Sequence, residues 1–425
     1  MVMSLFFNGL DSDIEFWRDW TLQLQKGGYH ALDANYPPLI LHWLRLFAWL
    51  NDYLGVSSLS DGWIKAWMQL PVFLCHLYLL ERVGKELSRQ GLDPLRSATF
   101  WVTAFNPALL LNGAVWGQVD LLPFIPLYFC FLFSIDKKRA HWSWPCLAIA
   151  LLCKFQAILF VPLLCGLSIR FPKRHALGIL IAIIVFVIGF LPFIISGDAK
   201  QAFNRAYLEN LEKYPYSSMN ATNLWYLLSC GSHRQNSLSL LTGEWASLPI
   251  ASWVTSTKIG FGSFGLLSAL IALVAMQKKQ LEEVFGLAVL SVVSFFAVSS
   301  GMHDRYMFLA VPFAVLWGCK ARQYLFWYPV LTALVYINMN LVVPLAGRGA
   351  WNFISLCVVL ALIIMVLQVG FNVSFARFKW VLGIAECSPL SPYVLLIFMW
   401  VAFMANEYQL GINHSQAVVT GRCNP

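Results

Sequence analysis

"SSGMHDRYMFLAVPFAVL" (Ser299–Leu316) sets His303, Asp304 and Arg305 between two strongly apolar stretches. A polar triplet where one apolar run turns into the next is either an ordinary loop between membrane helices or a functional rim at the membrane surface. The choice depends on where the other charges lie. The chain has 425 residues, of which 59% are hydrophobic and only 12% charged. Its mean hydropathy is +0.65. A soluble domain carries roughly 25% charged residues. Apolar runs at 176–197, 250–277, 324–343, 351–371 and 389–406 are each long enough to cross a hydrocarbon core of about 30 Å. The composition therefore predicts an all-α polytopic membrane protein.

The net charge of +8 has a membrane explanation, because Lys and Arg concentrate in short connections at 81–96, 136–141, 170–175, 278–279, 320–322 and 377–379. The positive-inside rule places these on the cytoplasmic side, and nucleic-acid motifs are lacking. Two cytoplasmic connections are separated by an even number of crossings. Residues 97–135 then form a hairpin with its tip near "NGAVWGQVD", and 142–169 a second with its tip near "CKFQ". By the same parity, 11–61 form an external first loop, 198–249 an external loop, and 283–319 turn outside at "GMHDRY". The stretch "LILHWLRLFAWLNDYL" (39–54) then lies on the membrane rather than across it. About twelve crossings result, one arm of which (145–153) is short enough to predict a broken helix lining a watery cavity. Residues 1–425 are read as one membrane domain. "MVMSLFFNGL" is too short for a signal peptide or a span, so either a first helix precedes it or the chain starts at the surface. The cysteines sit mostly within apolar runs without a CxxC pair and read as packing residues.

Six polar motifs fall on the expected outer face: "DSDIEFW" (11–17), "NYPP" (35–38), "WGQVD" (116–120), "KFQ" (154–156), "YPYSSMNATNLW" (214–225) and "MHDRY" (302–306). Asp11 and Asp13 are candidates for a general base that takes the proton of an attacking hydroxyl. The plainer reading is helix capping. Asp11 is favoured, because Asp13 shares a helical face with Trp17 and Trp20, the side expected to pack. Lys154 lies inside an apolar run and needs an anionic partner, either a ligand phosphate or Asp120 on the neighbouring hairpin. His303 and Arg305 suit phosphate equally, with a local Asp304–Arg305 pair as the plainer alternative. Trp116, Gln118 and Asp120 combine a stacking face with hydrogen-bonding groups, as a sugar site would. Tyr36, Asn220 and Asn223 add hydroxyl and amide groups. Metal-ligand spacings and Gly-rich phosphate loops do not occur.

Taken in order, "DIEFW", "YPPL", "FNPALLLNGAVWGQVD", "CKFQAILFVPLL", "YPYSSMNATNLW" and "MHDRYMF" resemble the bacterial relatives of the GPI second mannosyltransferase (PIG-V-like). These belong to the GT-C class of membrane glycosyltransferases. The resemblance spans about residues 11 to 312, and the last hundred residues match only as helices. It implies a GT-C glycosyltransferase fold and a lipid-linked donor such as polyprenyl-phosphate mannose. It further implies an extracytoplasmic glycan or lipid acceptor, inversion at the anomeric carbon, and a first-loop carboxylate as base. On this chain that makes Asp11 or Asp13 the base, places Lys154, His303 and Arg305 at the donor phosphate, and lines the site with Trp116, Gln118 and Asp120. Phe155 stands where relatives commonly have Pro, and Asp304 where they have Glu. The expected location is the plasma (inner) membrane with the site facing outward. A phosphate leaving group already carries its charge, so no cofactor or obligatory metal is expected. A multi-pass transporter or lipid flippase predicts inverted repeats that the sequence does not show. A non-catalytic GPI-transamidase-like subunit would not need the carboxylate cluster.

Overall fold

The computed structural model describes residues 11–54, 60–209, 216–228, 254–340 and 348–370. The first helix, α1 (Asp11–Gly27), buries Ile14, Trp17, Trp20 and Leu24, the three-to-four spacing of one helical face. It packs on α2 (Pro38–Tyr53), which opens on a proline whose missing N–H costs the first turn nothing, and on α3 (Asp61–Arg89). At 16 residues α2 is about 24 Å long, short of a hydrocarbon core. Its outer face exposes Leu39, Leu46, Trp49 and Tyr53. Its polar residues turn inward: His42 Nε2 meets the Gly189 carbonyl at 2.8 Å while Nδ1 accepts from the Tyr29 hydroxyl at 2.8 Å. Arg45 donates to the Leu24 carbonyl.

The Ser60 side chain caps α3 by accepting from the Trp63 N–H, and the helix then runs 29 residues, about 43 Å. Ser60→Cys and Arg89→Cys are therefore expected to react with a membrane-impermeant thiol reagent from opposite sides. Labelling of both from one side would overturn the topology.

The 97–135 hairpin is built from α4 (Ala98–Ala104), α5 (Pro107–Leu110), a π turn (Leu111–Val115) and α6 (Phe124–Ser134). Asn106 caps α5 through the N–H groups of Ala108 and Leu109. The second hairpin, α7 (Ser143–Cys153) and α8 (Val161–Ser168), breaks at Lys154, whose backbone is extended, and passes through a short 3-10 segment. The short arm expected from sequence is thus a broken helix.

Beyond it come α9 (Pro172–Ser196), α10 (Ala199–Phe203), β1 (Ser218–Met219), α11 (Leu224–Leu228), α12 (Ser256–Ala275), α13 (Leu281–Val298), β2 (Met302–His303), α14 (Ala310–Lys320), α15 (Trp327–Asn340) and α16 (Arg348–Met365). Gly189 lets α9 close on α7, since a Cβ there would stand 2.6 Å from Leu152 Cδ1.

Among the described residues, four helical segments are long and apolar enough to cross a membrane: Pro172–Ser196, Ser256–Ala275, Leu281–Val298 and Asn352–Gly370. The protein is an all-α membrane protein on these grounds. Only 17% of the apolar window of α9 is buried, against 78% for α13, so α9 offers its surface to lipid while α13 forms the centre of the core. Several other expected crossings are built from shorter pieces. Their irregular joints are tolerable at depth because protein surrounds them. The run at 389–406 and residues 229–253 lie outside the described residues.

The basic connections gather away from the polar motifs. Lys320 pairs with Glu86 at 3.2 Å, Arg322 donates to Gln90 at 3.0 Å, and Arg170 donates to the Lys278 carbonyl at 3.3 Å. The length of α3 and of α13 separates these loops from the ends where the polar motifs lie.

Candidate functional site

The π turn after α5 sets the site's floor. It delivers the chain into Trp116–Asp120, where Gly117 takes φ +82°, a left-handed conformation that a side chain would strain. A Cβ at Gly117 would also lie 2.9 Å from Ile14 Cδ1. Helix α3 holds this turn from beneath: Lys65 Nζ donates to the Val115 carbonyl at 2.9 Å and Gln69 Nε2 to that of Gln118 at 3.0 Å. Asp120 is thereby presented to Asn112 Nδ2 at 2.8 Å.

The break at Lys154 does the corresponding work from the second hairpin. Because the chain is extended there, the ammonium reaches across to Asp120, with which it forms a buried ion pair. Nζ also donates to the Tyr36 hydroxyl at 3.1 Å. Arg305 brings its Nε to 3.7 Å from the other oxygen of Asp120. Both readings of Lys154 meet here: it pairs with Asp120 and it lines an open cleft. The walls of that cleft include Asn35, Tyr36, Lys154, Gln156, His303, Arg305 and Tyr306. Lys154, His303 and Arg305 thus converge on one space.

Asp13 joins this cluster. Gln118 Nε2 donates to Asp13 Oδ2 at 2.5 Å, and Gln118 Oε1 accepts from the Tyr36 hydroxyl at 3.4 Å. A continuous polar chain therefore runs Asp13, Gln118, Tyr36, Lys154, Asp120. The expectation that the Trp17–Trp20 side of α1 points away from the site is corrected. Those rings pack on Tyr36, with centroids 4.9 and 5.5 Å away, so the packing face and the site face are the same. Asp13 shares that face by helical periodicity. Asp11 begins α1, and its side chain lies outside the described residues.

The MHDRY turn is held by its neighbours. β1 and β2 pair in parallel, with Ser218 opposite Met302 and Met219 opposite His303. Asn220, at φ +58°, bridges back to His303. Asn338 of α15 accepts from the Thr222 N–H at 2.8 Å and donates to the Asp304 carbonyl, tying both loops to one helix. Asn223 is not brought to the cleft. Its amide nitrogen donates to the Phe296 and Ser299 carbonyls and its oxygen accepts from the N–H groups of Trp225 and Tyr226, a structural clamp at the end of α13. Trp116 is likewise in the apolar core. Sequence reasoning missed Asn112, Gln156 as a named wall residue and Tyr306, although all three lie inside or next to quoted motifs. No group of His, Cys, Asp and Glu among the described residues could hold a metal ion.

Burial pushes the Asp304 carboxyl up to about 7 from an ordinary 3.8, opposed by the charge and N–H of Arg305 and reinforced by the nearby Asp120 and Asp13 carboxylates. A carboxyl whose folded pKa is raised binds more proton in the native state. Its contribution is complete below the ordinary carboxylate range and is lost as pH rises toward 7. The unfolding temperature of the wild type is therefore expected to fall relative to that of Asp304→Asn as pH is raised from about 4 to about 7. Parallel curves for the two proteins would show that Asp304 does not titrate in this window.

No protein-family model matches the chain, and no curated protein is similar enough to stand as a relative.

Proposed function

We propose that this protein is a membrane glycosyltransferase that moves a sugar from a polyprenyl-phosphate donor to a hydroxyl of an extracytoplasmic glycan or lipid acceptor. The carrying observation is a carboxylate, Asp13, linked through Gln118 and Tyr36 to a cleft walled by Lys154, His303 and Arg305. The motif resemblance supplies mannose as the sugar, inversion as the stereochemistry, and the outer face of the plasma membrane as the location.

In the reaction the acceptor oxygen forms a bond to the anomeric carbon as the bond from that carbon to the phosphate oxygen breaks. The acceptor proton passes to the carboxylate, and the electron pair of the broken bond leaves on polyprenyl phosphate. The phosphate gains a negative charge at that moment. Cations held beside it stabilise the transition state more than the ground state, which is what accelerates the step. Lys154 and Arg305 already flank Asp120, so an incoming phosphate competes with that carboxylate for them. Asn112 keeps a hydrogen bond on Asp120 when the cations turn toward the ligand.

The test is an assay of purified protein with labelled polyprenyl-phosphate mannose, competed by other lipid-linked sugars. Transfer of label with release of polyprenyl phosphate is expected. Absence of transfer from every lipid-linked sugar, with the protein folded, would overturn the proposal.

A further inference from the structure

Two connecting segments contribute walls to the cleft. One joins α1 to α2, residues 28–37, and its last three residues are Asn35, Tyr36 and Pro37. The other, residues 198–208, passes through α10 into a second π turn (Asn204–Leu208) and contributes Ala206. Arg205 and Asp198 fasten the second segment to the first. Arg205 Nη1 donates to the Leu32 carbonyl at 2.6 Å, and its Nε stands 3.5 Å from the Asp33 carboxylate. Asp198 Oδ2 accepts from His30 Nδ1 at 2.9 Å and from the Ala31 N–H at 3.1 Å. This clasp holds a conformation that the chain does not favour locally. Ala31 takes φ +54°, a left-handed conformation that a residue with a Cβ keeps only where its surroundings impose it.

The second segment is itself fixed to the helix that ends at Lys154. The Tyr207 hydroxyl donates to the Leu151 carbonyl at 3.1 Å, within the last turn of α7, and its ring meets that of Phe155 edge-on at 5.8 Å. Arg205 therefore sets residues 30–33 against the same helix end that presents Lys154. Tyr36 closes the circle. Its hydroxyl accepts from Lys154 Nζ at 3.1 Å and donates to Gln118 Oε1 at 3.4 Å, and its ring centroid lies 4.9 Å from the ammonium. Trp17 and Trp20 pack on the ring, but the backbone of residues 28–37 decides how far its hydroxyl reaches. A retreat of about half an ångström breaks the bond to Gln118, which already lies at the long end of hydrogen-bond range.

We infer that Arg205 is a positioning residue for sugar transfer: by holding residues 30–33 to the Lys154 helix, it keeps the Tyr36 hydroxyl between Lys154 and Gln118. Through Gln118 it orients the Asp13 carboxylate, which accepts from the same amide. This rests on the glycosyltransferase reading above and adds a residue that belongs to neither the base nor the phosphate set. Arg205 is not itself a wall of the cleft, so its effect reaches the reacting atoms only through Tyr36. Misplacing a catalytic group by about 1 Å from a distance costs up to about a hundredfold in rate.

The experiment is a double-mutant cycle on the full chain, read as kcat with polyprenyl-phosphate mannose. Arg205→Met and Tyr36→Phe should each lower kcat about tenfold, and the double variant should be no slower than Tyr36→Phe alone. Arg205→Lys, which can still donate to the Leu32 carbonyl, should recover most of the rate. A clasp that only stabilises the fold would instead let the two losses multiply to about a hundredfold. A second arm needs no catalysis. The fluorine resonance of 3-fluorotyrosine placed at position 36 should move in Arg205→Met and in Asp198→Ala, which opens the other half of the clasp. It should stay in place in Arg139→Met, a control on the basic connection at 136–141. The inference is overturned if the resonance is unmoved in both clasp variants, or if the losses in kcat multiply. Failure of the glycosyltransferase reading looks different: the wild type then transfers no sugar, while the resonance still reports whether Arg205 holds Tyr36.

Discussion

Asp13→Asn is expected to lower sugar transfer by about 10²–10⁴-fold, the usual contribution of a positioned general base. Donor binding and folding should be nearly unchanged. Asparagine has the same shape, and its side-chain oxygen can still accept from Gln118 Nε2, which lies 2.5 Å from the present carboxylate. What is lost is basicity alone. The amide of Gln118 is held in one sense because its oxygen accepts from the Tyr36 hydroxyl, which itself accepts a hydrogen bond from Lys154 Nζ. The carboxylate is therefore presented in a set orientation. Asp11→Asn is the natural comparison, since Asp11 lies at the start of the same helix. Loss of turnover in Asp11→Asn with wild-type turnover in Asp13→Asn would transfer the role to Asp11. Full activity in both would end the carboxylate mechanism.

Lys154→Met should produce two separable defects. Removing one partner of a buried ion pair leaves the other uncompensated, at a cost of about 3–5 kcal/mol. Here the stranded group is Asp120, 7% exposed, left with an amide hydrogen bond from Asn112 and the more distant Arg305. Thermal unfolding in detergent should move down accordingly. Donor affinity should fall as well, because the ammonium borders the cleft where the phosphate is proposed to sit. The double variant Asp120→Asn with Lys154→Met separates the two. It removes both charges, so most of the stability should return while donor binding stays weak. A double variant that binds donor like the wild type would reduce Lys154 to a counter-ion of Asp120.

The amino-acid sequence by itself determined that the chain is helical and membrane-embedded, because apolar run length and charge scarcity are properties of composition and spacing. It also indicated one break: the 145–153 arm was too short for a span, and the chain does turn at Lys154. Parity set only a shared side for the turn at Trp116–Asp120, the break at Lys154 and the MHDRY turn; that all three meet at Asp120 is a fact of the tertiary structure.

Side-chain direction was a different matter, because it depends on what lies across a gap rather than on what lies along the chain. Asp13 was set aside for sharing a face with Trp17 and Trp20. Only the tertiary structure showed that this face meets Tyr36, so that packing and function use the same side of α1. Asn223 and Trp116 looked like ligand-facing groups in their motifs, yet one clamps the end of α13 and the other is core. An amide in sequence carries no sign of whether its hydrogen bonds go to backbone or to a ligand. Gln156 is the reverse case. Nothing along the chain shows that it shares a small cavity with Asp120 and Arg305, a meeting that exists only because α7 breaks at Lys154 and residues 305–309 pass beside it. Local periodicity sets which residues share a face, and the approach of distant segments decides what that face meets.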